Sequence, residues 1–447
     1  MSISALARSG AVAGVIKLAS AGLSFLMFVA VAMVTDEREF GLFSAAYAGA
    51  SLVSFFASVG QQGAVLRFWP QYAGAGDMAS AHGVMARAIL VALAGSLVAS
   101  LVVLAIGLLP FHAGSTPQWL PLCAATALLV FALGWSEFAS GALRAKNALI
   151  TALLPRDVIW RAATIAAAML ASLAQIHTTA VMAMVVTGAI LVLCTLPQST
   201  MLLRDTLAAE RGPLTERQRR EFRSVTLGLW GVTALPPALG QVSVLLVAAI
   251  LGPEMAGAVF VADRTTRLIV LALTGINQVL APQISSAFHG GDRSHVQRIT
   301  SLAAGGGFAI ALATLLGFWI FGSFILAIFD PAYATPVMHA TLMVFALGAT
   351  VSTACGPVEV LMQLTGMQHV LFKLLVVVNV AGLAATAAMT WLWGPIGAAA
   401  SIAGTVAVWN IIAVGKAQQR IGINPSIAGL LSERPLGLPG LPERSRT

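Results

Sequence analysis

Long apolar runs separated by short polar joints make up almost the whole chain. A bilayer's hydrocarbon core needs about 20 apolar residues per helix, and about twelve stretches meet that length. In the first half they are Ala11–Val34, Gly41–Leu66, Val84–Leu109, Leu120–Leu143, Leu149–Ala174 and Thr178–Leu203. In the second they are Val225–Leu251, Met255–Ala281, Ile299–Ile328, Val337–Thr365, Val370–Trp393 and Ile396–Val414. Runs such as LLVAAIL and LLVVVNVAGLAA do not alternate polar with apolar, which excludes the short dyad-patterned strands of a membrane β-barrel. The pattern predicts an all-α polytopic membrane protein.

Between the sixth and seventh runs lies Arg204–Arg223, RDTLAAERGPLTERQRREFR. It predicts a linker (204–223) joining an N-terminal lobe (1–203, helices 1–6) to a C-terminal lobe (224–416, helices 7–12). The Pro- and Arg-rich stretch 417–447 has no apolar period and predicts a disordered tail. Ala30-Val31-Ala32 has the small residues of a signal cleavage site. Ala11–Val34 exceeds the roughly 7–15-residue core of a signal peptide, so an uncleaved first helix is expected.

Composition agrees with the pattern. Hydrophobic residues make up 58% of the chain, charged residues 9%, and mean hydropathy is +0.89. A soluble domain carries about 25% charged residues. The net charge of +8 would invite a nucleic-acid reading, but most of the basic residues sit in joints between apolar runs, and no contiguous basic face with aromatic platforms appears. One alternate set of joints holds Arg8, Arg67, Arg87, Arg144, Lys146, the linker, Arg293, Arg298 and the basic tail; the other holds Asp36, Glu37, Arg38, Glu39, Glu254 and Asp330. Basic joints mark the cytoplasmic side, so both termini and the linker are expected there.

The two halves also repeat. EFGLFSAAYAG and SVGQQGAVLRFWPQYAGAGDM in the first correspond to EMAGAVFVADR and LTGINQVLAPQISSAFHGGDR in the second. Gly60 to Asp77 spans the same distance as Gly275 to Asp292, and Gly41 aligns with Gly257 after a one-residue shift. Parallel six-helix lobes related by an axis along the membrane normal would give such an offset.

Candidate chemistry lies in ionisable residues inside the apolar runs, where burial costs roughly 2.5–3.5 kcal/mol on insertion scales. VADRTTRL of the eighth helix places Asp263, Arg264 and Arg267 about 12–20 Å in from the outer side at 1.5 Å per residue. Asp263 and Arg267 can pair at i,i+4. A buried ion pair with Arg264 satisfied by carbonyls is one reading; a cavity lining is the other, and the one we adopt. PRDVIWRA of the fifth helix supplies Arg156, Asp157 and Arg161 in a similar pattern. Guanidinium groups suit phosphate oxygens, so Arg264, Arg267, Arg161 and Arg156 are candidate substrate contacts, and Lys17 joins them because the first helix commonly lines the cleft in two-lobe transporters. Asp263 and Asp157 are the candidates for coupling or ion pairing, and the arginines beside them argue against proton relay.

Lys17, Glu137, Glu359 and Lys373 lie within about two turns of the cytoplasmic side. Snorkelling accounts for Lys17, and Glu359 is expected to pair with Lys373. Pro236-Pro237 predicts a kink or break in the seventh helix. The histidines, His112 among them, do not cluster, and His289 in HGGD is read as part of a turn. Cys123, Cys194 and Cys355 read as buried small hydrophobes. No catalytic set, metal site or cofactor is expected.

The stretches EFGLF, SVGQQGAVLRF, GALRAKN, GPEMAGAVFVADR, PQI…HGGDR and WGPIGAAAS resemble the polysaccharide and O-antigen flippases of the multidrug/oligosaccharidyl-lipid/polysaccharide exporter superfamily. The resemblance implies two six-helix lobes around a cationic central cavity, working by alternating access. It implies a polyprenyl-diphosphate-linked oligosaccharide as substrate, moved across a bacterial inner membrane. Coupling to protons, sodium or membrane potential, and cooperation with a polysaccharide polymerase and chain-length proteins, follow from the same resemblance. The alternatives are a cation-coupled multidrug exporter of the same fold and, from another class, a membrane enzyme of polysaccharide assembly. The absence of a large external loop and the internal repeat count against the last.

Overall fold

The computed structural model describes residues 3–109, 118–209, 212 and 215–431, some of them inside helices by their backbone only. His112 and the tail from 432, with Arg434, Arg444 and Arg446, lie outside the described residues, as do 210–211 and 213–214 of the linker. The first half runs α1 (Ile3–Ala32), α2 (Glu37–Ala57), α3 (Gln61–Gly74), α4 (Met78–Gly107), α5 (Trp119–Ala145), α6 (Leu149–Leu154), α7 (Trp160–Leu173) and α8 (Ala180–Ala208). The second runs α9 (Glu216–Leu251), α10 (Pro253–His289), α11 (Arg293–Phe329), α12 (Pro336–Ala354), α13 (Val358–Leu364) and α14 (Gln368–Ile421). Among the described residues there is no strand.

Among the described residues, nine segments are long and apolar enough to cross a membrane, by length and composition. Of the other expected spans, Leu149–Leu173 is divided by a π turn at Pro155–Ile159, and Met255–Ala281 lies within the 37-residue α10. The last two expected spans join into one 54-residue helix, broken at Gly394 where φ is 59° and ψ −139°.

By contact the chain forms two compact units. The first contains the N-terminal end of α1, Ala262–Leu326 and the chain from Ala334 onward. Its core gathers Ile284, Val296, Leu361, Met362, Leu371 and Ile421. The second contains Val15–Val261 and Ala327–Tyr333, with a core around Phe68, Trp69, Met85, Trp135, Phe138 and Phe222.

These contact-based units do not coincide with a division at the linker. The helix α9, which belongs to the C-terminal half by repeat, lies along α2: Gly63 faces Leu229, Gly49 faces Leu245, and Phe56 meets Trp230 edge-on at 6.1 Å. Grouping by contact therefore cuts across the duplicated halves.

The linker is also shorter than its polar run. The α8 helix continues to Ala208 and α9 starts at Glu216 behind a Thr215–Gln218 capping box. Reciprocal bonds at such a box satisfy amides that a helix start leaves orphaned, so the Arg- and Glu-rich stretch rides on helix ends. At the other end of the chain, the expected tail begins later than 417. The α14 helix runs to Ile421, and Gln297 holds Asn424 through two 2.7 Å bonds, donating to its carbonyl and accepting from its amide. Ile423 is fully buried. Burial of these apolar and amide groups orders a stretch whose composition suggested otherwise.

No break occurs at Pro236-Pro237: α9 is continuous through both prolines. The breaks fall elsewhere, at Val59-Gly60 between α2 and α3 and at Gly356-Pro357 between α12 and α13.

The turns repeat more faithfully than the sequence does. Gly76 (φ 78°) and Gly291 (φ 82°) end equivalent helices, with the next amide, Asp77 or Asp292, donating back five residues at 3.0 and 2.9 Å. Asn147 (φ 62°) and Gly366 (φ 80°) do the same before Ala148 and Met367. These two pairs carry the left-handed cap that closes orphan carbonyls at helix ends. Positive φ recurs at the equivalent Gln175 (53°) and Gly394 (59°), but Gly394, with ψ −139° and Pro395 after it, makes no such cap.

Candidate functional site

The structure gathers five charged side chains within one unit: Lys17 on α1, Glu137 on α5, Arg156 and Asp157 on the π turn, and Arg161 on α7. The π turn explains how. Pro155 has no amide proton, so the carbonyl four residues back loses its helical partner. That carbonyl, on Thr151, accepts instead from Gln198 Nε2 on α8 at 2.6 Å. The ladder then shifts to i→i+5, with the Trp160 amide donating to the Pro155 carbonyl. Such bulges occur mostly as single turns and often at functional sites.

The shifted backbone presents carbonyls to a side chain. Arg161 Nη1 donates to the carbonyls of Asp157 at 2.8 Å and Arg156 at 3.1 Å. Its guanidinium also lies 5.2 Å from the Trp160 ring centre. Trp160 is itself buried and pinned by its indole N–H to the Thr187 carbonyl at 2.9 Å.

Asp157 has a closer partner than the expected Arg161. Lys17 Nζ donates to Asp157 Oδ2 at 2.6 Å, whereas the nearest Arg161 nitrogen is 3.7 Å from Oδ1. The Asp157 side chain is 6% exposed and that of Lys17 44%, so the pair is a buried carboxylate reached by an amine from an open side. Arg156 pairs with Glu137 of α5. Three basic and two acidic groups leave one positive charge in excess.

In the other unit, Asp263 Oδ2 accepts from Arg267 Nη2 at 2.8 Å and Nε at 3.1 Å, the i,i+4 pair expected from sequence. The Arg267 side chain remains 58% exposed; Arg264 is half-buried, and Thr265 and Thr266 beside it are buried. The expected Glu359–Lys373 pair does not form among the described residues. Glu359 instead accepts from Gln363 Nε2, one turn along α13, at 3.1 Å. Cys123 and Cys355 are buried and Cys194 half-buried, all as free thiols.

Sequence reasoning missed the Lys17–Asp157 bond, the Arg156–Glu137 pair and the π turn. The signal for the turn was present in Pro155, deep inside the predicted fifth helix, and in Gln198, a polar residue within the sixth.

A family model described as polysaccharide biosynthesis protein matches residues 6–288, which include both charged clusters. The chain belongs to the polysaccharide biosynthesis protein family. A search of the curated proteins gives no match.

Among solved structures, the chain is similar to an inward-facing multidrug resistance MATE family transporter of the MOP superfamily. Identity is 15%, with 92% of this chain and 98% of that one covered, and the TM-score is 0.69. A MOP superfamily transporter from Pyrococcus furiosus, described by the reverse polarity of its binding pocket, matches at 16% identity. The match covers 92% and 95% of the two chains, with a TM-score of 0.64. A MATE protein in complex with MaL6 matches at 17% identity over 92% and 96%, with a TM-score of 0.62. Likeness at this level fixes the fold: this member of the polysaccharide biosynthesis protein family is an all-α, multi-pass membrane protein of about twelve spans in two six-helix lobes.

Proposed function

We propose that the chain is a transporter that flips a polyprenyl-diphosphate-linked oligosaccharide across the bacterial inner membrane for surface polysaccharide synthesis. The observation that carries this reading is the cluster of Lys17, Arg156, Arg161, Asp157 and Glu137, held in a membrane-spanning unit with cationic excess. Burying ionisable groups inside a membrane is costly and marks substrate or ion pathways. Arginines with a fixed fork geometry match phosphate oxygens.

In this reading Lys17, Arg156 and Arg161 are the substrate-binding cations of one unit, and Arg264 and Arg267 are those of the other. Asp157 and Asp263 hold those cations in place or take part in coupling. The lobes 1–203 and 224–416 alternate access, hinged at the linker, with both termini cytoplasmic. Protons, sodium or the membrane potential drive the cycle, and a polymerase and chain-length proteins consume the product.

Single substitution of Arg161, Arg264 and Arg267 by Ala tests the assignment in cells that need the chain for surface polysaccharide. The expected result is lost polymer with unchanged membrane abundance; normal polymer from all three variants overturns it.

A second reading, a cation-coupled multidrug exporter, draws support from the MATE transporters among the structural relatives. A null strain that makes normal polysaccharide but becomes sensitive to cationic dyes would favour it. The excess of arginine over carboxylate in the clusters favours an anionic cargo.

A further inference from the structure

The same two helices that hold the Lys17–Asp157 bond and Arg161 part further along and leave an open, apolar groove. It has a volume of about 400 Å³ and is lined by α1 residues including Leu26 and Met33 and α7 residues including Ala168, Met169 and Leu173. Ser172 is the one polar residue among its lining. Met33, Met169 and Leu173 are 64%, 61% and 82% exposed, while Ala30 and Ala168 form its buried floor. Charge sits at one end of this seam and hydrocarbon at the other.

We propose that the groove binds the isoprenoid chain of the carried lipid while its phosphate engages Lys17 and Arg161. The proposal rests on the lipid-linked substrate reading above and adds the place where the tail goes. Length selects the occupant. From Lys17 to Met33 is sixteen residues, or about 24 Å at 1.5 Å per residue. A phospholipid acyl chain spans one leaflet, half of an approximately 30 Å core. With its phosphate at Lys17 it ends well short of Met33 and Leu173, whereas a long polyprenyl chain fills the groove to its outer end. Two alanines on the floor keep the slot deep enough for a branched chain, and apolar burial against a methylene-rich ligand contributes about 0.8 kcal/mol per CH₂.

The test compares binding of a long polyprenyl phosphate and of geranyl phosphate to the full-length protein in detergent, with phosphatidylglycerol as competitor. Wild type is expected to bind the long chain at least about tenfold more tightly. Ala168→Trp, which fills the groove floor, is expected to erase that preference while leaving geranyl phosphate binding unchanged. In the wild type, a diazirine at the far end of the long chain is expected to label peptides from 26–34 and 165–173, which needs no substitution. Equal affinity for both chain lengths, labelling elsewhere, or equal displacement by phosphatidylglycerol overturns the groove assignment alone. Failure of both phosphates to bind overturns the lipid-linked substrate reading as well.

Discussion

Gly41 and Gly257, one repeat apart in sequence, touch backbone to backbone. A Cβ on Gly257 would lie 3.0 Å from the Gly41 Cα, and a Cβ on Gly41 would lie 1.9 Å from the Pro253 carbonyl oxygen. The starts of the repeat-equivalent helices α2 and α10 therefore meet at van der Waals distance. Around them Phe28, Tyr47, Phe40, Phe43, Phe260 and Tyr333 pack edge to face or tilted. Tyr333 is buried by this packing, which, with the nearby carboxylates of Glu37, Asp330, Glu254 and Asp36, holds its hydroxyl well above the usual phenol range.

Gly41→Ala has no flexible side chain to push aside and is expected to destabilise the protein by about 1–3 kcal/mol, the usual cost of overpacking. Gly257→Ala meets the Tyr333 hydroxyl at 2.9 Å as well as Gly41. Adding Tyr333→Phe is therefore expected to recover part of the Gly257→Ala loss and none of the Gly41→Ala loss. Thermal unfolding of the purified variants measures both; equal recovery in the two backgrounds would refute the contact geometry.

The Pro155–Gln198 relation gives a second double substitution. Gln198→Ala strands the Thr151 carbonyl and is expected to cost about 1–3 kcal/mol, the penalty of an unmet buried acceptor. Pro155→Ala restores a backbone donor for that carbonyl, so the double variant should be more stable than Gln198→Ala alone. Additive losses in a denaturation series would show that the π turn does not depend on the proline.

Lys17 and Asp157 should not behave as equal partners. Asp157→Ala leaves Lys17 with 44% exposure to solvate it, whereas Lys17→Ala leaves a buried carboxylate with only the 3.7 Å approach of Arg161. A double-mutant cycle is expected to give a coupling of roughly 0.5–3 kcal/mol, with Lys17→Ala rescued in stability by Asp157→Asn. Absence of rescue would mean that Arg161 already satisfies the carboxylate.

Asp77 and Asp292 supply a pH prediction. The Ser80 hydroxyl and amide hold the Asp77 carboxyl below the ordinary carboxylate range, and the His295 amide and Ser294 hydroxyl do so for Asp292. A folded-state value depressed below the unfolded one gives stability that is present above the unfolded value. That stability is lost as pH falls through the folded one. Loss should therefore begin near pH 4, about the unfolded value of Asp, and deepen below it. Asp77→Asn and Asp292→Asn retain the helix caps and should flatten the acid limb of a melting-temperature profile with little change at pH 7; an unchanged limb would remove both caps from the account.

Most of the architecture was legible because burial in lipid leaves a coarse signature: a run near 20 residues long cannot hide in a sequence. The Asp263–Arg267 pair was equally legible, since its geometry is set within one helical turn. What escaped was long-range. Lys17 and Asp157 are separated by 140 positions, and nothing local distinguishes an amine that snorkels from one that crosses to a neighbouring helix. The break at Pro236-Pro237 is absent for a related reason. Proline removes a donor, but whether the helix parts depends on what packs beside it, and α9 is braced along α2. The ordered Asn424 segment escaped because composition cannot see the Gln297 amide that holds it.

The repeated turns bear on how the halves have diverged. Caps at Gly76 and Gly291, or Asn147 and Gly366, retain one left-handed turn with the same five-residue return bond, the second pair despite different side chains, while the mid-helix breaks do not coincide: α2 and α3 are split where α10 is continuous, and α12 and α13 where α5 is. A chain that doubles itself acquires a spare copy of every helix. Here the corners of the copies stayed alike, and novelty accumulated between them, where a bend or a charge could be tried without undoing the threading.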